Sequence, residues 1–341
     1  MSELRYPSQR ICIVLLTGLG DVIHGLPFVN ALKDDDPTRH ITWIVEPMPS
    51  EALRHHPSVD EIVVYRKKNG LRGLMDLRRE LAGRRFDLTI NLNVYVKSAW
   101  PTLLSRAPHR LGFGRDRAAE GTWLAANHHL APTPRMHTQD LFLLFLDHLG
   151  VPRPDPLEWR ITFSDDEKRA QAELFAPLAD RPVVAIVPAS ANAKKDWFAD
   201  RYARVVDALE RDFGYRTMLI GGPGDREQGI AREIVARAEH KPLWALGDGV
   251  RRLMWLVGGS DLVIGPDTGP LHIARGCGVP TRSVADLVLN NNVPQERMEA
   301  FLDRMFGALT VYETIRPDPA RRQRHAQRRR DLFRFLQQPG K

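Results

Sequence analysis

The sequence predicts an α/β protein of two Rossmann-like domains facing a cleft, and three observations predict it. Short apolar runs of strand length alternate with segments of helical periodicity. The alternation occurs twice, once on each side of a proline-rich stretch. At 341 residues the chain is too long for one ordinary core and suits two domains of about 150 residues each.

In the first half, residues 11–16 read as a buried strand and 21–33 as the helix after it. Residues 41–45 and 61–65 are further strands, 71–81 a helix, 86–92 a strand and 110–113 a short one. Strands separated by helices form βαβ units and hence a parallel sheet. Residues 131–135 and 151–156 are Pro-rich, with an apolar helix expected over 137–149 between them. That sets a boundary near residue 155, with one domain over 1–155 and a second over 156–317. The second half repeats the pattern: strand 183–187, helix 200–213, strand 215–220, helix 226–238, a short helix over 251–257 and strand 262–264. The Arg-rich stretch at about 318–338 reads as a helix that returns to the first domain.

The formal charge of +7 favours acidic partners, whether nucleic acid, anionic lipid or phosphorylated substrate, without choosing among them. Aromatic residues fall mostly inside expected core runs, which leaves no stacking pattern for nucleic acid. Cys12 and Cys277 read as buried thiols in a reducing compartment. No Cys/His cluster has zinc spacing, so neither a metal nor another cofactor is expected. Residues 1–10 lack an apolar signal core, and no stretch approaches the ~20 apolar residues of a membrane span. A cytoplasmic protein able to touch a membrane surface is the expectation.

Three segments carry chemistry. The first, Thr17-Gly18-Leu19-Gly20-Asp21-Val22-Ile23-His24, follows the first strand. It is neither a dinucleotide fingerprint, because Ile23 stands where the third glycine belongs, nor a P-loop. Its glycines permit a tight turn and close approach of a ligand. Asp21 reads either as a helix cap or as a carboxylate facing the cleft. The second segment, residues 188–197, follows the strand at 183–187 and offers Ser190, Lys194 and Lys195 in a small-residue loop, with Trp197 packed on the next helix. The third is Gly265-Pro266-Asp267-Thr268-Gly269-Pro270-Leu271-His272, a strand, a turn and a helix start. Free N–H groups and the helix dipole at such a start bind anions, and Pro270 suits the first turn. His272 reads either as a buried helix histidine or as a site residue.

Together the three segments resemble glycosyltransferase family 9, the heptosyltransferases of lipopolysaccharide synthesis. The resemblance rests on Gly-Leu-Gly-Asp-Val-Ile-His at 18–24, Lys195-Asp196-Trp197 before Arg201-Tyr202, and Gly-Pro-Asp-Thr-Gly-Pro-Leu-His-Ile-Ala at 265–274, in order across residues 11–285. His24 resembles the heptosyltransferase I branch, which primes the inner core on Kdo-lipid A. The resemblance implies a GT-B fold, with acceptor in the N-terminal domain and nucleotide sugar in the C-terminal one. It implies metal-independent, inverting transfer of heptose from ADP-heptose to a lipopolysaccharide inner-core acceptor, Kdo-lipid A or the heptosylated core. Asp21 would be the general base, and Lys195 would stabilise the departing diphosphate. Ser190, Asp267, Thr268, Gly269, Leu271, His272 and Glu227 would bind donor, with backbone N–H groups of Thr268, Gly269 and Leu271 on the diphosphate and Asp225 or Glu227 on the ribose. Gly18, Gly20 and His24 would bind acceptor. The basic run at 321–330 would hold the protein weakly at the inner face of the inner membrane.

The resemblance has one departure. Members often follow the third motif's next strand with a Gly-Pro-Thr turn, whereas residues 286–293 here read Asp-Leu-Val-Leu-Asn-Asn-Asn-Val. A family 9 transferase with another nucleotide sugar or acceptor therefore remains an alternative, as does a non-enzymatic module binding anionic lipid or nucleic acid.

Overall fold

The structure, a computed structural model, describes Tyr6 and residues 8–284. The chain divides into two compact units, one ending at Asp165 and the other starting at Asp166. The expected returning helix at 318–338 lies outside the described residues.

The first unit contains β1 (Arg10–Val14), α1 (Leu19–Asp35), β2 (His40–Val45), α2 (Pro47–Ser50), β3 (Glu61–Val64), α3 (Gly70–Glu80), β4 (Leu88–Asn91), α4 (Ala99–Leu104), β5 (His109–Gly112), β6 (His128–His129) and α5 (Thr138–Leu149). Its strands form one parallel sheet in the order β3-β2-β1-β4-β5-β6. The run from Ile11 to Leu16 is buried throughout, as a strand covered on both faces requires. Cys12, Val14 and Leu16 share one face with Val63, Leu77 and Phe86. Burial pushes the Cys12 thiol up to about 12, which keeps it protonated and inert. Cys277, expected to be buried, is only half-buried. Helices α1 and α5 meet through Phe28 and Phe145, ring centroids 6.3 Å apart.

The unit boundary falls beyond the Pro-rich stretch because the chain after that stretch remains bonded to the first unit. Asn30 Nδ2 donates to Glu158 O at 2.7 Å, and Thr162 Oγ1 to His55 O at 2.6 Å. Arg160 grips both carboxylate oxygens of Asp34 at 2.6 and 2.7 Å.

The second unit contains α6 (Asp165–Phe175), β7 (Val183–Ile186), α7 (Ala199–Arg211), β8 (Arg216–Gly221), α8 (Asp225–Arg237), β9 (Leu243–Leu246), α9 (Val250–Gly259), β10 (Leu262–Gly265), α10 (Gly269–Gly276) and β11 (Thr281–Ser283). Its parallel sheet has the order β11-β10-β7-β8-β9. Val184, Ile186, Leu219 and Ile264 pack with Tyr202, Val206 and Leu209 of α7 and Ile234 of α8. Two elements escape the sequence pattern for a physical reason. Helix α6 buries no residue and shows no apolar stripe, and β9 is an edge strand whose first two residues are exposed.

Both sheets are doubly wound. Strands step outward from β1 to β3 and resume on its other side at β4; they step from β7 to β9 and resume at β10. In such sheets loops diverge at the switch point, leaving a crevice at the carboxyl ends of the two flanking strands.

Candidate active site

In the first unit the switch point lies between β1 and β4. Gly18, at φ 85° and ψ 107°, ends the loop after β1 and caps α1. Helix α1 thus starts at Leu19, and Asp21 stands in its first turn rather than at its cap; no side-chain cap bond forms. Its carboxylate lies against Gly18, where an added Cβ would come 2.3 Å from Asp21 Oδ2. Burial raises the Asp21 pKa, and the Lys97 charge opposes that rise. Lys97 arrives from the loop after β4 and donates to Thr17 Oγ1. Burial lowers the Lys97 pKa, as does the charge of Lys67, while Glu46 and Asp21 act in the other direction. Lys67, after β3, pairs with Glu46, after β2, at 2.9 Å. The segments following four adjacent strands are therefore coupled through Lys97, which feels Lys67 and Glu46 on one side and Asp21 on the other.

Gly20 lies half-buried in the same first turn. His24 does not reach the crevice as expected. It is only 4% exposed, its Nδ1 is 3.2 Å from Gln139 Oε1, and Gln139 Nε2 donates to its carbonyl at 2.7 Å. Those two bonds to Gln139 hold it in the interior, where it joins α1 to α5; this corrects the reading of His24 as an acceptor contact.

In the second unit the switch point lies between β7 and β10, and both remaining motifs flank it. Lys195 ends a 3-10 turn (Ala193–Lys195) in the loop after β7. Its Nζ donates to Asp267 Oδ2 at 2.8 Å, beyond β10. The far side of the Asp267 carboxylate faces His272, Nε2 lying 3.7 Å from Oδ1. His272 is partly exposed, with 27% of its side chain accessible, so it is no buried structural histidine. Gly265 lets β10 approach the loop closely: a Cβ there would lie 2.7 Å from that of Val187.

Thr268 caps α10 with extended backbone and no side-chain cap bond, and Pro270 occupies the first turn. The Leu271 N–H is already given to Thr268 O at 3.0 Å. That bond removes Leu271 from the expected set of free anion donors and leaves the amides of Thr268 and Gly269 at the open helix start. Ser190 is similarly engaged. It is 8% exposed, its Oγ donates to Asn192 O at 2.8 Å, and Asn192 N donates to that Oγ at 3.1 Å, so it shapes the loop instead of offering a free hydroxyl. Asp196 accepts from Ser190 N at 2.8 Å and pairs with Arg226, whose guanidinium also donates to Ser190 O. Trp197 packs on α7 with its ring at 5.0 Å from Tyr202, as the sequence suggests. Glu227, in the first turn of α8, accepts from Gly222 N at 3.0 Å; burial raises its pKa, and that hydrogen bond and Arg226 oppose the rise.

Sequence reasoning missed Lys97, Glu46, Lys67 and Arg226. None belongs to a motif; the signal for Lys97 is only its place beyond the strand that joins β1 on the return. Among the described residues no group of three or more His, Cys, Asp or Glu residues is placed to hold a metal ion. The 286–293 departure and the basic run at 321–330 lie outside the described residues.

Comparison with solved structures defines the class. The glycosyl transferase family 9 protein of Veillonella parvula superposes with TM-score 0.72 at 26% identity, over 81% of this chain and 80% of that one. Heptosyltransferase WaaC of E. coli, solved with ADP-2-deoxy-2-fluoro heptose, superposes with TM-score 0.66 at 21% identity, over 80% of this chain and 87% of that one. The fold is GT-B, that of a glycosyltransferase. The family model described as "Glycosyltransferase family 9 (heptosyltransferase)" matches residues 74–284. The lipopolysaccharide core heptosyltransferase OpsX of Haemophilus influenzae is 31% identical over 273 residues, covering 80% of this chain and 77% of that protein. This chain belongs to glycosyltransferase family 9 and is an enzyme of that family.

Proposed function

We propose that the protein transfers heptose from ADP-L-glycero-D-manno-heptose to a lipopolysaccharide inner-core acceptor of the Kdo-lipid A type, with inversion and without a metal. The observation that carries this reading is the content of the two switch points: a half-buried carboxylate in the first unit, and a lysine beside an open helix start in the second. The first suits removal of a proton from a hydroxyl; the second suits a diphosphate. The relatives supply the sugar, through the names and ligand given above.

In this scheme Asp21 accepts the proton of the acceptor hydroxyl as its oxygen attacks the anomeric carbon. The bond from that carbon to the diphosphate oxygen breaks on the opposite face, and ADP leaves. General-base assistance of this kind contributes roughly 10²–10⁴-fold. The raised pKa makes Asp21 a stronger base than an ordinary aspartate, and the Lys97 charge opposes that rise. Lys195 and the amides of Thr268 and Gly269 receive the charge that grows on the diphosphate, which a cation would otherwise neutralise. Lys195 exchanges Asp267 for phosphate when donor binds, freeing Asp267 and His272 for sugar hydroxyls. Glu227 takes the ribose. Gly18 and Gly20 let the acceptor approach the α1 backbone, and Lys97 attracts its anionic groups. The acceptor places the reaction at the cytoplasmic face of the inner membrane, and no nucleic acid takes part.

The test is a panel of nucleotide sugars with Kdo-lipid A, with and without a strong chelator, read by mass spectrometry of the product. Heptose addition from ADP-heptose alone, undiminished by chelator, is the expected result. Transfer from a different nucleotide sugar, or loss with chelator and recovery with magnesium, overturns the corresponding part.

A further inference from the structure

We propose that the outer face formed by α3, α4 and the turn Thr122–Ala125 is the surface by which this protein rests on an anionic lipid bilayer. The proposal rests on the reading of the acceptor as a lipid-linked, anionic sugar. Among the described residues, large exposed apolar side chains are concentrated there: Leu71 and Met75 on α3, Trp100 and Leu103 on α4, and Leu124 in the turn, from 43% to 74% exposed. Scattered exposed apolar residues are ordinary on a soluble protein, but a cluster on adjoining elements marks a contact surface.

The three elements adjoin. Leu77 and Leu81 at the inner side of α3 share a core with Leu104 of α4. The segment leading into α4 is tied to the one leading into the turn, through Ala119 N to Val94 O at 2.7 Å and Val96 N to Glu120 Oε2 at 3.2 Å.

Charge selects the occupant. Residues 66–80 carry six basic side chains against two acidic ones, and of the six Lys67 is paired with Glu46. One of those acids, Asp76, is paired with Arg79 at 3.1 Å, while Lys68, Arg72 and Arg78 are exposed. On α3 the arginines interleave with Leu71 and Met75 on the solvent side, opposite buried Gly73 and Leu77. An acidic macromolecule has no use for five solvent-facing apolar side chains, and an apolar protein partner has none for the cations. A bilayer interface takes both: guanidinium groups reach headgroup phosphates while their stems and the apolar side chains enter the acyl boundary, and tryptophan favours that depth. The face is also continuous with the site, since α4 begins two residues after Lys97. Docking there brings lipid-linked acceptor to the Asp21 side without its leaving the membrane.

The test uses full-length protein and co-sedimentation with vesicles of phosphatidylcholine alone or of equal parts phosphatidylcholine and phosphatidylglycerol, at low salt. Two double variants change only exposed side chains: Trp100→Ser with Leu124→Ser, and Arg72→Glu with Arg78→Glu. Wild type is expected on the anionic vesicles and not on the neutral ones. The charge variant should bind at least about 25-fold more weakly, at roughly fivefold per charge removed, and the apolar variant about tenfold more weakly. Both should melt like wild type and transfer sugar to a delipidated, water-soluble acceptor at its rate. That arm separates the two ideas, because a failure of the proposed transfer shows in wild type without vesicles. Variants that bind vesicles like wild type would overturn the proposal by placing the attachment elsewhere or the patch under other residues. Wild type that prefers neither vesicle, or variants impaired on the soluble acceptor while still bound, overturn it as well.

Discussion

Gly18→Ala should separate backbone strain from placement of the carboxylate proposed as the base. The new Cβ would stand 2.3 Å from Asp21 Oδ2 and 2.9 Å from Cγ, and real contacts of this kind essentially never fall below 3.0 Å. Restoring ordinary contact moves the carboxylate by about 1 Å, and a misplacement of that size costs on the order of 10²-fold in rate. Separately, a non-glycine residue at φ +85° is strained by about 1–3 kcal/mol. Gly83 supplies the control: its φ is +83°, and nothing lies within 4 Å of an added Cβ. Urea unfolding should therefore show a loss of about 1–3 kcal/mol for both Gly18→Ala and Gly83→Ala. Steady-state kinetics should show a fall of about 10²-fold in kcat for Gly18→Ala alone, with the KM for donor unchanged. Full turnover in Gly18→Ala, or equal inactivation in Gly83→Ala, would refute the assignment of Gly18 as the space that seats Asp21.

Four further outcomes follow from the same geometry. Asp21→Asn should lose roughly 10²–10⁴-fold in transfer while melting higher than wild type at neutral pH. The folded-state pKa of Asp21 is raised above 3.8, so ionisation costs stability as pH rises through that raised value; the Asn variant avoids the cost, and its advantage should shrink as pH falls toward 4. Lys97→Ala removes the charge that lowers the Asp21 pKa, so the acid limb of kcat/KM should move to higher pH; a limb that stays in place denies Asp21 the role of base. Lys195→Ala should lower kcat far more than it lowers stability, because its pair with Asp267 is 47% and 54% exposed and such pairs contribute about 0–1 kcal/mol; saturating donor restoring the full rate would contradict this. ADP should bind at least about tenfold more tightly than AMP in calorimetry at one salt concentration, since each charge-assisted bond to the second phosphate is worth roughly 1.5–3 kcal/mol; equal affinities would exclude the α10 start as the diphosphate site.

What the sequence determined by itself is local and periodic. Apolar runs such as 11–16 and 183–187 have the length of strands covered on both faces, and helical spacing with turn residues between them made βαβ units and two domains legible. The three motifs were legible too, because each combines a strand, a glycine-bearing turn and a helix start within a dozen or so residues. The tertiary structure alone decided how distant segments combine. Strand order brings the loop after β4 beside that after β1, so Lys97 reaches Thr17 across 80 positions, and the return at β10 brings Asp267 to Lys195 across 72. Spacing also left Asp21 open between cap and cleft carboxylate; Gly18 takes the cap position by starting α1 at Leu19, which puts Asp21 in the first turn. His24, Ser190 and Leu271 looked like site residues because they stand inside site motifs. Burial against Gln139, a loop-internal hydroxyl bond and a first-turn amide bond redirect them, since short-range order names a residue's neighbours in the chain but not the partner its polar atoms find in three dimensions.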